Sequence, residues 1–260
     1  MISTLQPKVR GLILDMDGVL WRGNEAIGDL PKVFKTIKNL GLKVTFATNN
    51  ATLSAKQYQE KLGSFGVHVD AWQIINSSMA SAFLLKKLFP SGGPVYVVGE
   101  DGLIDTLAEA GFYYSEDGAL AVVAGLDRQV TYEKLRRATS LIRSGVLFIG
   151  TNPDKTLPVP DGFAPGAGAI LGAIEISTDV KPTIAGKPYP AMLELAMQRM
   201  ETTTLDTLVV GDRLDTDILG GYNAGCRTAL VLSGVTKASE LEKWTPKPDL
   251  ITSDLESLLQ

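Results

Sequence analysis

Val9-Arg10-Gly11-Leu12-Ile13-Leu14-Asp15-Met16-Asp17-Gly18-Val19-Leu20 is the stretch on which the reading of this chain turns. The apolar run over 9–14, with Gly11 inside it, has the character of a short buried parallel strand. It carries Asp15 and Asp17 to its C-terminal end, where open α/β sheets place their ligands. In a regular strand these two side chains point to the same face. Two negative charges held together are costly unless a cation joins them or one carboxyl stays protonated. Gly18 then lets the backbone bend away. A polar turn capping a core strand would use the same residue types, so the rest of the chain has to decide.

The pattern continues as β-α-β. Apolar residues at Val33, Phe34, Ile37 and Leu40 predict an amphipathic helix over 30–40, stopped by Gly41. A strand over 43–47 ends in Thr48-Asn49-Asn50, Ser54 caps a helix reaching residue 65, and a short apolar segment follows over 73–75. From about residue 78 the chain starts afresh. Helices are expected over 79–89, 103–110, 132–143 and 169–176, and strands over 95–98, 120–124 and 146–149. A loop rich in Pro and Gly covers 151–168. Thr183-Ile184-Ala185-Gly186-Lys187-Pro188 resumes the first pattern. After it come a helix over 190–200, a strand over 207–210, the charged turn Gly211-Asp212-Arg213-Leu214-Asp215-Thr216-Asp217, a helix over 216–224 and a strand over 228–231. The expected fold is α/β: a doubly wound, Rossmann-like parallel-sheet core over 1–77 and 182–260, with a smaller α/β domain inserted at 78–181.

Bulk properties narrow the classes of function. The 260 residues are 45% hydrophobic and 21% charged, with a net charge of −4 and no basic stripe, which argues against nucleic-acid binding. No apolar run approaches the ~18 residues of a membrane span, and 1–7 lacks the basic and apolar regions of a signal peptide. A single cysteine, Cys226, leaves no internal disulfide framework and fits a reducing cytoplasm. Placed before an apolar strand, it reads as a small buried hydrophobe. The single histidine, His68, reads as a loop residue, so mechanisms needing paired His, or His with Cys, are set aside.

The polar clusters each follow a strand-like run: Asp15 with Asp17, Thr48 with Asn49 and Asn50, Lys187, and Asp212 with Asp215 and Asp217. Hard oxygen ligands without His or Cys favour Mg²⁺, bound through carboxylates, waters and substrate phosphate. A lysine and a hydroxyl beside such a cation make an anion pocket, the balance that phosphoryl transfer needs. A carboxylate can serve as nucleophile, forming an aspartyl-phosphate, and a neighbouring carboxyl can protonate the leaving oxygen and then activate water. Read singly, Thr48 could instead cap its turn and Lys187 could be a solvated charge at a helix start. Asp215 reads as a surface residue.

Together these motifs resemble the haloacid dehalogenase superfamily of phosphatases. Asp15-Met16-Asp17-Gly18-Val19-Leu20, Thr48, Lys187 and Gly211-Asp212-Arg213-Leu214-Asp215-Thr216-Asp217 match its four motifs in order. Thr48-Asn49-Asn50, Thr151-Asn152-Pro153-Asp154, Pro165-Gly166-Ala167-Gly168-Ala169 and Gly186-Lys187-Pro188 narrow the resemblance to the 4-nitrophenylphosphatase-like subfamily, which includes phosphoglycolate and pyridoxal phosphate phosphatases. The resemblance implies that Asp15 is nucleophile and Mg²⁺ ligand, and that Asp17 is general acid/base with its backbone carbonyl as a further ligand. It implies that Thr48 and the Asn49 backbone hold phosphoryl oxygens, and that Lys187 neutralises charge between Asp15 and phosphate. Asp212 becomes the third protein ligand and Asp217 its supporting partner. The insert becomes a cap that excludes water and meets the leaving group. Asn50, Asn152, Asp154 and Arg213 are candidates to face a small phosphate ester, with an Asn-Pro-Asp turn the equal alternative for Asn152 and Asp154. Gly166 and Gly168 suggest a tight turn before the helix over 169–176 rather than a phosphate loop. The segment 154–158 has no histidine, unlike the cap loop of some pyridoxal phosphate phosphatases. Cap surfaces in this family can pair, so a homodimer through the cap stays open.

Three rivals share parts of the pattern. A receiver-like phospho-accepting switch also clusters Asp, Thr and Lys at sheet ends, but has no use for Asp-x-Asp or for a 100-residue insert. A haloacid dehalogenase would keep the Asp15 nucleophile and need neither Asp17 nor Mg²⁺. A phosphomutase would return the phosphoryl group to its substrate.

Overall fold

The computed structural model describes residues 1–159 and 161–260, with Pro158 described through its backbone alone. Pro160, inside the loop expected at 151–168, lies outside the described residues. The chain divides into two compact units, Met1–Thr48 with Leu53–Ile75 and Pro188–Gln260, and Asn49–Thr52 with Asn76–Lys187.

In the first unit the strand Gly11–Leu14 is buried throughout. It pairs in parallel with Lys43–Thr48 on one side and with Thr207–Gly211 on the other, Leu14 lying opposite Phe46 and Val210. Arg227–Val231 and Leu250–Thr252 continue the sheet beyond Thr207–Gly211, and Ile74–Asn76 lies beyond Lys43–Thr48, giving six strands. The chain fills one side of Gly11–Leu14 before crossing to the other. The strand order therefore reverses between Gly11–Leu14 and Thr207–Gly211, the switch point at which such sheets open a crevice. Asp15 and Asp212 are the first residues past these two neighbouring strands, and the Asp15 N–H still donates to the Val210 carbonyl at 2.9 Å.

Helix Leu30–Asn39 starts where Asp29 accepts from the Lys32 N–H, and it buries Leu30, Val33 and Ile37 on one face. Helix Ala55–Ser64 starts at a reciprocal capping box of Ser54 and Gln57 and buries Tyr58 and Leu62. Those faces meet Leu12, Leu14, Phe46, Leu208 and Val210 in one core. Phe34 and Phe46 face each other with ring centroids 5.8 Å apart.

The second unit carries its own parallel sheet, in the order Thr183–Ile184, Leu147–Gly150, Ala121–Ala124, Gly93–Val98, Phe112–Tyr114. The two-residue side-chain period divides Gly93–Val98 between two cores. Tyr96 and Val98 pack with Val122, Phe148 and Ile174, while Val95 and Val97 pack with Leu107, Phe112 and Ile149. Both faces of this sheet are covered, as all-parallel sheets require.

Several local expectations give way to the structure. Thr183–Ile184, read as the return of the first pattern, pairs with Leu147–Gly150 in the second unit's sheet. A strand of two residues has no period to reveal its partner. The expected loop at 151–168 contains an antiparallel hairpin, Thr156–Val159 with Gly162–Pro165, hidden because Pro158 and Pro165 read as strand breakers. Trp21–Arg22 with Glu25–Ala26, and Phe112–Tyr114, are likewise too short for a sequence period. The helix expected over 216–224 begins earlier, as a π turn Leu214–Ile218 that passes into Leu219–Asn223. His68 is an exposed loop residue, as expected. No helix among the described residues is long and apolar enough to cross a membrane.

Cys226 is buried with its Sγ 3.6 Å from Met197 Sδ, and burial pushes its thiol up to about 11. The thiolate is the reacting form, so native Cys226 stays protonated at pH 8. Iodoacetamide should leave it unmodified there, react faster in the folded protein only as pH climbs past 9 towards 11, and react at once in urea, as intact-mass spectrometry would show. Phe46→Ala removes a fully buried ring from the central sheet. It should cost about 3–5 kcal/mol in urea unfolding.

Candidate active site

Beyond the two neighbouring strand ends, carboxylate oxygens of Asp15, Asp212 and Asp217 lie within 4.8 Å of one another. Asp15 is half-buried, and Asp212 and Asp217 are each only 1% exposed. The π turn brings Asp217 back towards its own strand end, where its Oδ2 accepts from the Arg213 N–H at 3.1 Å. π turns recur at functional sites because they re-aim a side chain within a helix.

The Asp212 carboxylate rests in a cradle of backbone. Its Oδ2 accepts from the Val235 N–H at 2.7 Å, and its carbonyl from the Thr236 N–H at 3.3 Å. A Cβ on Gly234 would stand 1.9 Å from that Oδ2, and one on Gly18, where φ is +83°, would stand 2.4 Å from it. Only glycine lets both loops close on the carboxylate. Ser233 ties the loops together by donating its Oγ–H to the Gly18 carbonyl at 2.7 Å, and Arg22 Nε donates to the Ser233 carbonyl at 2.6 Å. None of this cradle was legible as a motif; Ser233-Gly234-Val235 looks like any small-residue turn after a strand.

Three carboxylates this close, two of them withdrawn from water, repel one another unless a cation sits among them. The donors are all hard oxygens, without His or Cys, which is the chemistry of Mg²⁺ rather than of a soft metal. The residues present fit that ion.

Asp17 takes a different course from the one a regular strand implies. The strand ends at Leu14, and the Leu20 N–H donates to the Met16 carbonyl at 2.8 Å while the Gly18 N–H donates to the Trp21 carbonyl at 2.7 Å. This tight turn swings the exposed Asp17 side chain out of the same-face pairing. The three clustered carboxylates do not include it; its Oδ1 accepts from the Trp21 indole Nε1–H at 2.8 Å. Trp21 was not singled out from sequence, although it lies four residues after Asp17 and carries a donor that a buried indole must satisfy.

Thr48, also in the first unit, is 4% exposed at the end of its strand. Arg213 and Asp215 are exposed and paired at 3.0 Å, which makes Asp215 a surface residue as expected. In the second unit, the Asn49 side chain grips the Lys187 backbone from both sides. Its Oδ1 accepts from the Lys187 N–H at 2.8 Å and its Nδ2 donates to the Lys187 carbonyl at 2.9 Å. Lys187 itself is 3% exposed. Asn152 Nδ2 donates to the Asn49 carbonyl at 2.9 Å, as does Ser77 Oγ–H at 2.7 Å. The Asp154 N–H donates to Asn152 Oδ1 at 3.2 Å, so the Asn-Pro-Asp turn is present. Asn50 closes a similar local turn, accepting from the Thr52 N–H and hydroxyl. Gly166 and Gly168 form no positive-φ turn. Their missing side chains let the helix start approach the backbone, since a Cβ would lie 2.3 Å from the Asp154 carbonyl and 2.4 Å from that of Pro153.

Comparison with known proteins places the chain in a family. A sequence model described as haloacid dehalogenase-like hydrolase matches residues 12–113, and a HAD-hydrolase-like model matches 184–258. The 5'-nucleotidase YutF of Bacillus subtilis is 37% identical over 239 residues, covering 92% of this chain and 93% of the relative. The chain belongs to the haloacid dehalogenase-like hydrolases. Phosphoglycolate phosphatase 1A of Arabidopsis thaliana is 38% identical over 96% of this chain and 76% of its own. The p-nitrophenyl phosphatase from Archaeoglobus fulgidus superposes with a TM-score of 0.89 at 33% identity, covering 97% of this chain and 99% of that one. Within the haloacid dehalogenase-like hydrolases, this chain falls in the 4-nitrophenylphosphatase-like group.

The cradle makes a test of the carboxylate cluster. Gly234→Ala should turn the Asp212 carboxylate aside and weaken Mg²⁺ binding about 10- to 100-fold by isothermal titration calorimetry. Gly63→Ala, where a Cβ meets nothing within 4 Å, should leave the affinity unchanged.

Proposed function

We propose that this hydrolase is a Mg²⁺-dependent phosphatase that cleaves small phosphate monoesters through an aspartyl-phosphate on Asp15. The observation that carries the reading is the convergence of Asp15, Asp212 and Asp217 at the switch point, beside an Asp17 held apart from them. Asp15 and Asp212 would hold the ion, with the Asp17 carbonyl as a further ligand and Asp217 supporting the set. When bound, it would supply positive charge against the phosphoryl oxygens and so offset the repulsion between the Asp15 carboxylate and a phosphate dianion.

The residues then divide the work. An Asp15 oxygen attacks phosphorus in line, and Asp17 gives its proton to the ester oxygen as the P–O bond breaks. Asp17 next takes a proton from water, the water attacks the aspartyl-phosphate, and inorganic phosphate leaves with Asp15 restored. Thr48, the Asn49 backbone and Lys187 hold the phosphoryl oxygens. The two-sided grip of the Asn49 amide on the Lys187 backbone supports that role by fixing where the ammonium stem begins.

In this reading the insert expected at 78–181 is a cap, its end carried past 181 because Thr183–Ile184 belongs to the second unit's sheet, and substrate choice resides in it. Asp154 and Arg213 are the polar candidates for substrate contact. Asn152 and Asn50 have side chains engaged with the backbone of their own unit and serve its architecture first. The relatives named above are all named for hydrolysing phosphate esters, which favours turnover over a receiver-like switch, a dehalogenase or a phosphomutase. The lone buried thiol suits a reducing cytoplasm.

Phosphate release from 4-nitrophenyl phosphate and a panel of metabolite monoesters should require Mg²⁺ and stop with chelator. Asp15→Asn should lower kcat by about 10³-fold or more while the circular dichroism spectrum is kept. Substantial turnover by that variant would remove Asp15 as nucleophile.

A further inference from the structure

We propose that Trp21 is a positioning residue that fixes the Asp17 carboxyl through its indole N–H and leaves Oδ2 as the oxygen that carries the transferred proton. This rests on the phosphatase reading above.

The geometry is specific. The Trp21 Nε1–H donates to Asp17 Oδ1 at 2.8 Å, the one hydrogen bond of that carboxyl among the described residues. Trp21 is 0% exposed, stacked on Phe65 at 5.8 Å and covered on its ring by Lys61, whose Nζ lies 4.3 Å from the ring centroid. Asp17 by contrast is exposed. The backbone binds the two residues as well, through an isolated bridge between them and the Gly18 N–H to Trp21 carbonyl bond. An immobile ring therefore anchors a carboxyl that solvent alone would leave free to turn.

The chemistry follows from what an indole can do. It donates and never accepts. Oδ1 can satisfy it as a carboxylate oxygen or as the carbonyl oxygen of a protonated carboxyl, so the contact survives both halves of the cycle. The proton must then sit on Oδ2. As the P–O bond breaks, it passes from Oδ2 to the ester oxygen, and the same oxygen takes a proton from water in the second half. The Lys61 charge over the ring face draws electron density from the indole and strengthens the donor. Without this anchor the exposed carboxyl turns freely and presents either oxygen in many directions, which costs the alignment that proton transfer requires.

The test separates this role from packing. Trp21→Phe keeps an apolar ring and removes only the donor. An alkyl phosphate needs a proton on its leaving oxygen, whereas 4-nitrophenolate departs without one. The variant should lose about 10- to 100-fold in kcat/KM on glycerol 2-phosphate, through kcat with KM kept, and less than about threefold on 4-nitrophenyl phosphate. Equal losses on both esters would make Trp21 a packing residue and overturn the proposal. Absence of wild-type turnover on either ester would instead overturn the phosphatase reading, and this role with it. Should Trp21→Phe not fold, the contact is read in Asp17→Ala. There the Trp21 indole ¹H–¹⁵N resonance, assigned against Trp72→Phe and Trp244→Phe, should move and exchange faster with water. An unmoved resonance would overturn the proposal.

Discussion

Mutual repulsion among Asp15, Asp212 and Asp217 is the constraint around which the first unit is built. Their oxygens come within 4.8 Å of one another, and two of the three side chains are almost wholly buried. An arrangement of that kind relaxes unless the backbone is held by something stiffer than the side chains. Here the stiffness comes from two adjacent parallel strands in fixed register, Leu14 opposite Val210, with both faces of their side chains in the core. The loop following Arg227–Val231 then folds over Asp212 and meets it with an N–H donor. Burying an apolar sheet thus meets the cost of holding like charges together, and the all-oxygen donor set is one that would suit a hard divalent cation.

Much of this could be read from the chain alone, and the reasons are physical. Strands such as Gly11–Leu14 and Thr207–Gly211 are buried on both faces, so they appear as unbroken apolar runs whose ends are marked by the first polar residue. Asp15, Thr48 and Asp212 were visible for that reason. Helix Leu30–Asn39 was legible through its apolar spacing, and Ala55–Ser64 through its cap. Where a turn re-aims a side chain or pairs distant segments, the outcome was not legible. The same-face pairing expected of Asp15 and Asp17 assumes that the strand continues, and the backbone leaves it at Leu14. Thr183–Ile184 and the hairpin Thr156–Val159 with Gly162–Pro165 draw their identity from partners distant in sequence or hidden behind proline, which no local period encodes.

Asn49 shows how a residue can be noticed for one reason and placed for another. Sequence resemblance assigns its backbone to a phosphoryl oxygen and says nothing of its amide. In the structure that amide is fully engaged, accepting from the Lys187 N–H and donating to the Lys187 carbonyl, while Asn152 and Ser77 hold the Asn49 carbonyl. A primary amide is suited to this because it offers a donor and an acceptor side by side, matching the N–H and C=O of one residue. A carboxylate there would repel the Lys187 carbonyl, and an aliphatic side chain would leave both backbone groups buried and unmet.

Asp15 and Asp17 are chemically alike and two residues apart, yet the turn gives them opposite surroundings. Asp15 is drawn into a shared cluster with the buried carboxylates of Asp212 and Asp217. Asp17 is held singly, on an exposed side, by one neutral donor. A nucleophile must stay ionised and fixed in line, whereas a proton carrier must pass through both protonation states without losing its orientation. Under the proposed mechanism an indole meets the second requirement better than a cation would, because an ammonium or guanidinium bound to Oδ1 would favour the ionised form more strongly and resist the proton that the mechanism assigns to Asp17. The buried ring of Trp21 gives Oδ1 a fixed direction, which is how one short Asp-Met-Asp segment would furnish both proposed roles.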